Sequence, residues 1–261
     1  MTTIGTGGPP ATNDDLHPTD AALAVAVETG TGQLRLDLTR RLAAEALGTA
    51  ILIVAVVGSG IAASRLSTGD VGLQLLENAA ATACALIGLI LMFGAVSGAH
   101  FNPVVTLLDR MLGTMTTSDA ALYVLAQVVG GCLGTMLANV MFELPVVELS
   151  TTDRSAGALW VSEVVATVTL LLVIQVCVRT WRASVVPFAV GAWIGGAYWF
   201  TSSTSFANPA VTVARTLSDS FAGIAPASAP MFIVMQLVGA VIAFALVRLF
   251  YPHDHSETPD A

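Results

Sequence analysis

Asn-Pro occurs twice in this chain, at Asn102-Pro103 and Asn208-Pro209. Each copy follows a long apolar run, at a point where the chain would be leaving a membrane. The surroundings match as well: "GAHFNPVVTLLDRM" and "TSFANPAVTVARTL" align at the same offset of 106 positions that separates the two asparagines. Asn is a favoured N-cap, and Pro is favoured as the first helical residue because its missing N–H would be unpaired there anyway. About ten helix-compatible residues follow each box, roughly 15 Å of helix, or half a bilayer. Two such half-helices entering from opposite faces would meet N-terminus to N-terminus at the midplane. The irregular backbone leading to them is tolerable there only if it lines a cavity or is buried in protein.

Apolar runs near residues 42–62, 79–97, 120–142, 157–178, 183–204 and 229–250 are each about 20 residues, the length of a membrane-crossing helix. The composition agrees: 55% hydrophobic and 11% charged, where soluble domains carry roughly a quarter charged residues. Residues 1–38 are rich in Gly, Pro, Thr and Asp, and no basic cluster precedes their one apolar run. They read as a disordered cytoplasmic tail rather than a secretory signal, and 252–261 as a second disordered tail.

The two halves repeat each other. "AEALGTAIL" in the first run aligns with "SEVVATVTL" in the fourth, pairing Glu45 with Glu163; "QVVGGCLG" aligns with "QLVGAVIA", pairing Gln127 with Gln236. Each half, 39–142 and 156–251, holds three spans, an odd number, so the second lies upside down relative to the first. Inverted repeats of this kind put their site near the midplane on discontinuous helices. The expected class is an all-α membrane protein with six transmembrane helices and two re-entrant half-helices.

Charge orients the bundle. The net charge of −8 sits mainly in tails and loops and offers nothing for nucleic acid. All ten basic residues are arginine. With the N-terminus inside, Arg35, Arg40, Arg41, Arg110, Arg179, Arg182 and Arg248 fall on the cytoplasmic side and Arg65, Arg154 and Arg215 outside, so both ends are expected in the cytoplasm. Cys84, Cys132 and Cys177 lie in apolar spans and read as packing residues, and no metal or cofactor is expected. No full span holds a histidine, which argues against an intramembrane enzyme. The small-xxx-small patterns Gly130/Gly134, Gly191/Gly195 and Gly239/Ala243 suit close helix contacts. From the residues alone, a passive channel and an ion-coupled secondary transporter both remain open.

At these motifs the sequence resembles the aquaporin, or major intrinsic protein, family, over about residues 41–250. "SGAHFNPVVT" is similar to the family's first box, with Val104 in place of the usual Ala, and Asn208-Pro209-Ala210 to its second. The resemblance implies an aquaporin-like right-handed bundle in the plasma membrane, normally a homotetramer with one pore per subunit. It also implies passive movement of small neutral solutes past Asn102 and Asn208, whose side-chain oxygens cap the half-helices while their amides face the pore. Glu45, Glu163 and His100 resemble the residues that support the two loops.

The family's selectivity filter, carried over by spacing, falls on Thr82, Gly196, Ser205 and Val211. All four are uncharged, and Val211 stands where water-selective members have Arg. Ser205 stands where many members have a mercury-reactive Cys. Arg215 lies about 6 Å further along the second half-helix and about 40° around it. It either reaches back toward the vacated place as an outer-vestibule residue or pairs with Asp219; the pairing is the expectation retained. "FTSSTSFANPAVTVART" resembles a bacterial branch associated with arsenic-resistance operons, which implies water, glycerol-like polyols, arsenous acid or methylated metalloids as solutes.

Overall fold

A computed structural model describes residues 37–180 and 182–251. The expectations for the two tails therefore lie outside the described residues, apart from Asp37 and Leu38. Eight α-helices follow in order: α1 Leu38–Leu66, α2 Val71–Ser97, α3 Pro103–Leu112, α4 Thr117–Met141, α5 Gly157–Arg179, α6 Val186–Phe200, α7 Pro209–Ala214 and α8 Ala229–Phe250. Short 3-10 turns, Ala183–Val185 and Arg215–Leu217, precede α6 and follow α7. Six of the described helices are long and apolar enough to cross a bilayer, with the Ala183–Val185 turn counted into the fifth.

Most boundaries lie within a few residues of the apolar runs, but α2 begins well before position 79. Its first two turns carry Gln74, Glu77 and Asn78, which break the hydropathy signal. Asp70 caps this helix by accepting from Leu73 N at 2.9 Å. The polar side chains then find partners on neighbouring elements: Asn78 Nδ2 donates to Val56 O and Ser59 Oγ, each at 2.8 Å, and Gln74 Nε2 donates to Ser67 O. A buried amide costs little when every donor is met.

Helix contacts follow the repeat. α1 packs on α2 and α4 as α5 packs on α6 and α8. Each half-helix docks on the last span of the other half, α3 on α8 and α7 on α4, while α2 meets α6 and α3 meets α7 across the centre. Close approach of α1 and α4 depends on Gly130 and Gly134, where a Cβ would overlap the Ala46 and Ala50 carbonyls.

α7 is shorter than the ten residues of α3 because its last turn tightens. Its closing carbonyls are taken from outside: Ala214 O accepts from Thr135 Oγ1 at 2.8 Å, Arg215 O from Ile224 N, Thr216 O from Ser150 N and Leu217 O from Glu148 N. Competing donors at a helix end favour i→i+3 closure. These bonds hold the α4–α5 loop over the end of the bundle that lies opposite the start of α1 and the end of α8; it is called the far end below.

Candidate functional site

The half-helices meet tip to tip. Asn102 Oδ1 accepts from Val104 N at 3.0 Å, and Asn208 Oδ1 accepts from Ala210 N and Val211 N at 3.0 and 3.2 Å. Pro103 and Pro209 occupy the first helical position in each case. The amides cross over: Asn102 Nδ2 donates to Ala207 O and Asn208 Nδ2 to Phe101 O, each at 2.8 Å. A carboxamide has two N–H donors, so each asparagine keeps one for the cavity that both line.

The chain reaching each asparagine is strained in the same way. Ala99 and Phe101 in the first loop, and Ser205 and Ala207 in the second, hold φ values of 51°, 49°, 51° and 47°. Non-glycine residues in this left-handed region cost of order 1–3 kcal/mol each and persist only where the surroundings hold them. The surroundings here are the two glutamates, both fully buried. Glu45 accepts from Ser97 Oγ, His100 N, Phe101 N and Gln127 Nε2 at 2.6–3.0 Å. Glu163 accepts from Phe206 N, Ala207 N and Gln236 Nε2 at 3.0, 2.9 and 2.6 Å. Gln127 and Gln236 pass the connection on to Thr106 and Thr212, four residues beyond each asparagine. The sequence alignment paired these glutamines without assigning them a part. The signal was an amide inside an apolar span at equivalent places in both halves.

One continuous cavity of about 1000 Å³ runs beside the tips, from Val211 and Arg215 past Asn102 and Asn208 to Asp109 and Arg179. Its walls are mostly aliphatic, including Leu52, Val56, Leu86, Ile90 and Leu170. His100 lines it, with Nδ1 3.1 Å from Thr106 Oγ1 and Nε2 3.2 Å from Asp109 Oδ2. Asp109 and Arg215 are repeat counterparts, so the cavity has a carboxylate, with Arg179 near it, toward one end and the Arg215 guanidinium toward the other.

Three of the four residues placed by spacing line this cavity: Thr82, Ser205 and Val211. Gly196 does not. It is exposed on the outward face of α6, with only Phe200 near where a Cβ would stand. The cavity side of α6 is Val186, Val190, Ile194 and Tyr198, recurring every four residues. Gly196 lies two residues from the last pair, about 200° around the helix. Tyr198 faces Thr82 instead, hydroxyl to hydroxyl at 3.2 Å.

Arg215 corrects a second expectation. It makes no pair with Asp219, which accepts from Thr151 N and Oγ1. The Arg215 side chain turns inward and is 2% exposed. Its guanidinium carbon lies 3.5 Å from the Phe206 ring centroid, and its Nε donates to Ala222 O. Burial against an aromatic face and a carbonyl outweighs an exposed i,i+4 pair, which is worth only about 0.3–0.5 kcal/mol.

Comparisons with known proteins agree with this architecture. The family model described as "Major intrinsic protein" matches residues 33–202 and 179–259. The chain is 50% identical over 212 residues to Aquaglyceroporin AqpS of Rhizobium meliloti (strain 1021), covering 81% of this chain and 90% of that one. It is 26% identical over 236 residues to the probable aquaporin AqpM of Archaeoglobus fulgidus, covering 80% and 96%. The X-ray structure of the aquaglyceroporin from Plasmodium falciparum superposes with a TM-score of 0.64 at 23% identity, covering 81% of this chain and 96% of that one, and shares its fold. A six-span bundle with two half-helices joined at capped asparagines, together with these matches, makes this chain a member of the major intrinsic protein family: a passive multi-pass membrane channel rather than an enzyme.

Proposed function

We propose that this channel passes small uncharged solutes bulkier than water: glycerol-like polyols, arsenous acid and methylated metalloid acids in their neutral forms. The observation that carries the reading is the ring of Thr82, Tyr198, Ser205 and Val211 on the cavity wall, which has hydroxyls and an isopropyl group but no charge. Arg215 stands one turn beyond Val211 and lies on Phe206 as an outer-vestibule residue. A single file of about ten waters across a bilayer occupies roughly 300 Å³ at ~30 Å³ each. The cavity, vestibules included, is about 1000 Å³. A polyol also matches its wall, with carbon toward the aliphatic side and hydroxyls toward Asn102, Asn208 and Ser205. The relative AqpS is itself named an aquaglyceroporin.

In this reading Glu45 and Glu163 support the two loops, and His100 braces the first against Asp109. The free N–H of Asn102 and of Asn208 hydrogen-bonds each passing oxygen, and the half-helix N-termini oppose cations at the centre. The functional unit is a homotetramer in the plasma membrane with both chain ends cytoplasmic, as the arginine distribution favours. Stopped-flow light scattering on proteoliposomes, with water, glycerol and arsenous acid compared side by side, tests the solute range. Fast water flux without glycerol or arsenous acid uptake would overturn it. Native mass spectrometry at four times the 26.8 kDa chain mass tests the assembly.

A further inference from the structure

Two cations meet on Phe206 toward the far end of the bundle, and neither has an ion-pair partner within 4 Å among the described residues; Phe206 and Arg215 line the cavity, and Arg154 is not among its lining residues. Arg154 comes from the α4–α5 loop and Arg215 from the turn after α7, and both rest on Phe206. Their guanidinium carbons lie 5.1 and 3.5 Å from its ring centroid. Each spends its Nε on a neighbouring carbonyl, Arg154 on Gly223 O at 3.0 Å and Arg215 on Ala222 O. A guanidinium has five N–H donors, so four on each side chain remain uncommitted. The arginine–carboxylate ion pair among the described residues is elsewhere, Arg41 with Asp119.

The nearby acids are already engaged. Asp153 accepts from Ser155 Oγ and Ser228 Oγ, Asp219 from Thr151, and Glu163 from two loop amides and Gln236. Burial lowers the pKa of Arg154 from its ordinary value, against the opposing pull of Glu163 and Tyr198. A desolvated cation in that position is short of negative charge. An independent observation points the same way. Ser205 lines the cavity together with Arg215 and Phe206, is 4% exposed, and its Oγ has no hydrogen-bond partner.

A single guanidinium suffices to repel cations; here the charge of Arg154 also bears on Arg215. Paired forks with a spare hydroxyl make the donor set that holds a carboxylate or similar oxyanion. We propose that Arg154, Arg215 and Ser205 form a binding site for the anionic head of a small oxyacid at the far mouth of the channel. This rests on the channel reading above and extends it: an oxyacid anion occupies the mouth and competes with neutral solutes for passage.

The test uses glycolamide as the permeant and glycolate, its near-isosteric anion at neutral pH, as the competitor in proteoliposomes. Methylarsonate in a parallel arm distinguishes a carboxylate from a metalloid head. Glycolate is expected to inhibit wild-type glycolamide flux saturably. Arg154→Gln should raise the half-inhibitory concentration by about tenfold or more, and Arg154→Lys should restore part of the inhibition. In detergent, glycolate but not glycolamide should raise the melting temperature of the wild type, a readout that does not depend on variant flux. No glycolate inhibition of the wild type, or an Arg154→Gln channel inhibited as the wild type is, overturns the site while leaving the channel standing. Failure of glycolamide to cross wild-type vesicles would instead strike at the neutral-solute reading.

Discussion

Glu163→Gln changes one atom in the fully buried support of the second loop. The Glu163 carboxylate receives three N–H donors: Phe206 N on one oxygen, Ala207 N and Gln236 Nε2 on the other. Glutamine keeps one acceptor oxygen and turns the other into a donor. If that amide faces Ala207 and Gln236, two buried N–H groups lose their acceptor and meet a donor instead; the opposite flip strands Phe206. Each unsatisfied buried donor costs about 1–3 kcal/mol, so the preferred flip costs about 1–3 kcal/mol and the other about twice that. The lower figure, for a domain of this size, is a fall in melting temperature of several degrees, at about 2–4 °C per kcal/mol. Ser205 and Ala207 would also lose the brace that keeps them in the left-handed region. The loop then relaxes and Asn208 leaves its 2.8 Å contact with Phe101 O. The assay is paired: thermal unfolding of the purified protein and glycerol flux in proteoliposomes, with loss expected in both. An unchanged melting temperature with flux that had merely lost a dependence on a proton gradient would refute the supporting role and mark Glu163 as a proton relay.

Val211→Arg puts a guanidinium into the uncharged ring one turn before Arg215, and glycerol flux should fall at least severalfold while water flux persists in stopped-flow scattering. Ser205→Cys should make solute flux sensitive to mercurials, because the side chain lines the cavity; an insensitive variant would put Ser205 off the permeation path. Gly196→Leu, on the outward face of α6, should leave glycerol flux within about twofold of wild type, whereas a large loss would return Gly196 to the filter. Gly134→Ala drives a methyl into the Ala50 carbonyl and should cost about 1–3 kcal/mol of stability, read as a lower melting temperature.

The bundle was legible because its determinants are local. A span is written as about 20 apolar residues, a half-helix as Asn-Pro with ten residues behind it, and inversion as an odd number of spans per half. Glu45 and Glu163 stood out because a carboxylate in an apolar run demands a partner. The start of α2 was hidden, since Gln74, Glu77 and Asn78 look soluble until Val56, Ser59 and Ser67 are brought against them.

Helix phase and side-chain direction were decided only in three dimensions. Counting twelve residues back from Asn208 reaches Gly196, but which face of α6 meets the cavity depends on how that helix packs against α2 and α5. The packing turns Tyr198 inward and Gly196 to the outer surface of the bundle. Arg215 could have bonded Asp219 by spacing alone. It turned inward because Phe206 and the Ala222 carbonyl, parts of two other loops, offered a face and an acceptor. Periodicity is a property of neighbours in the chain, so sequence carries it. Arg215's partners lie only seven and nine residues away, but on irregular loops to either side of α7 whose course no periodicity predicts, so only the folded arrangement shows them meeting.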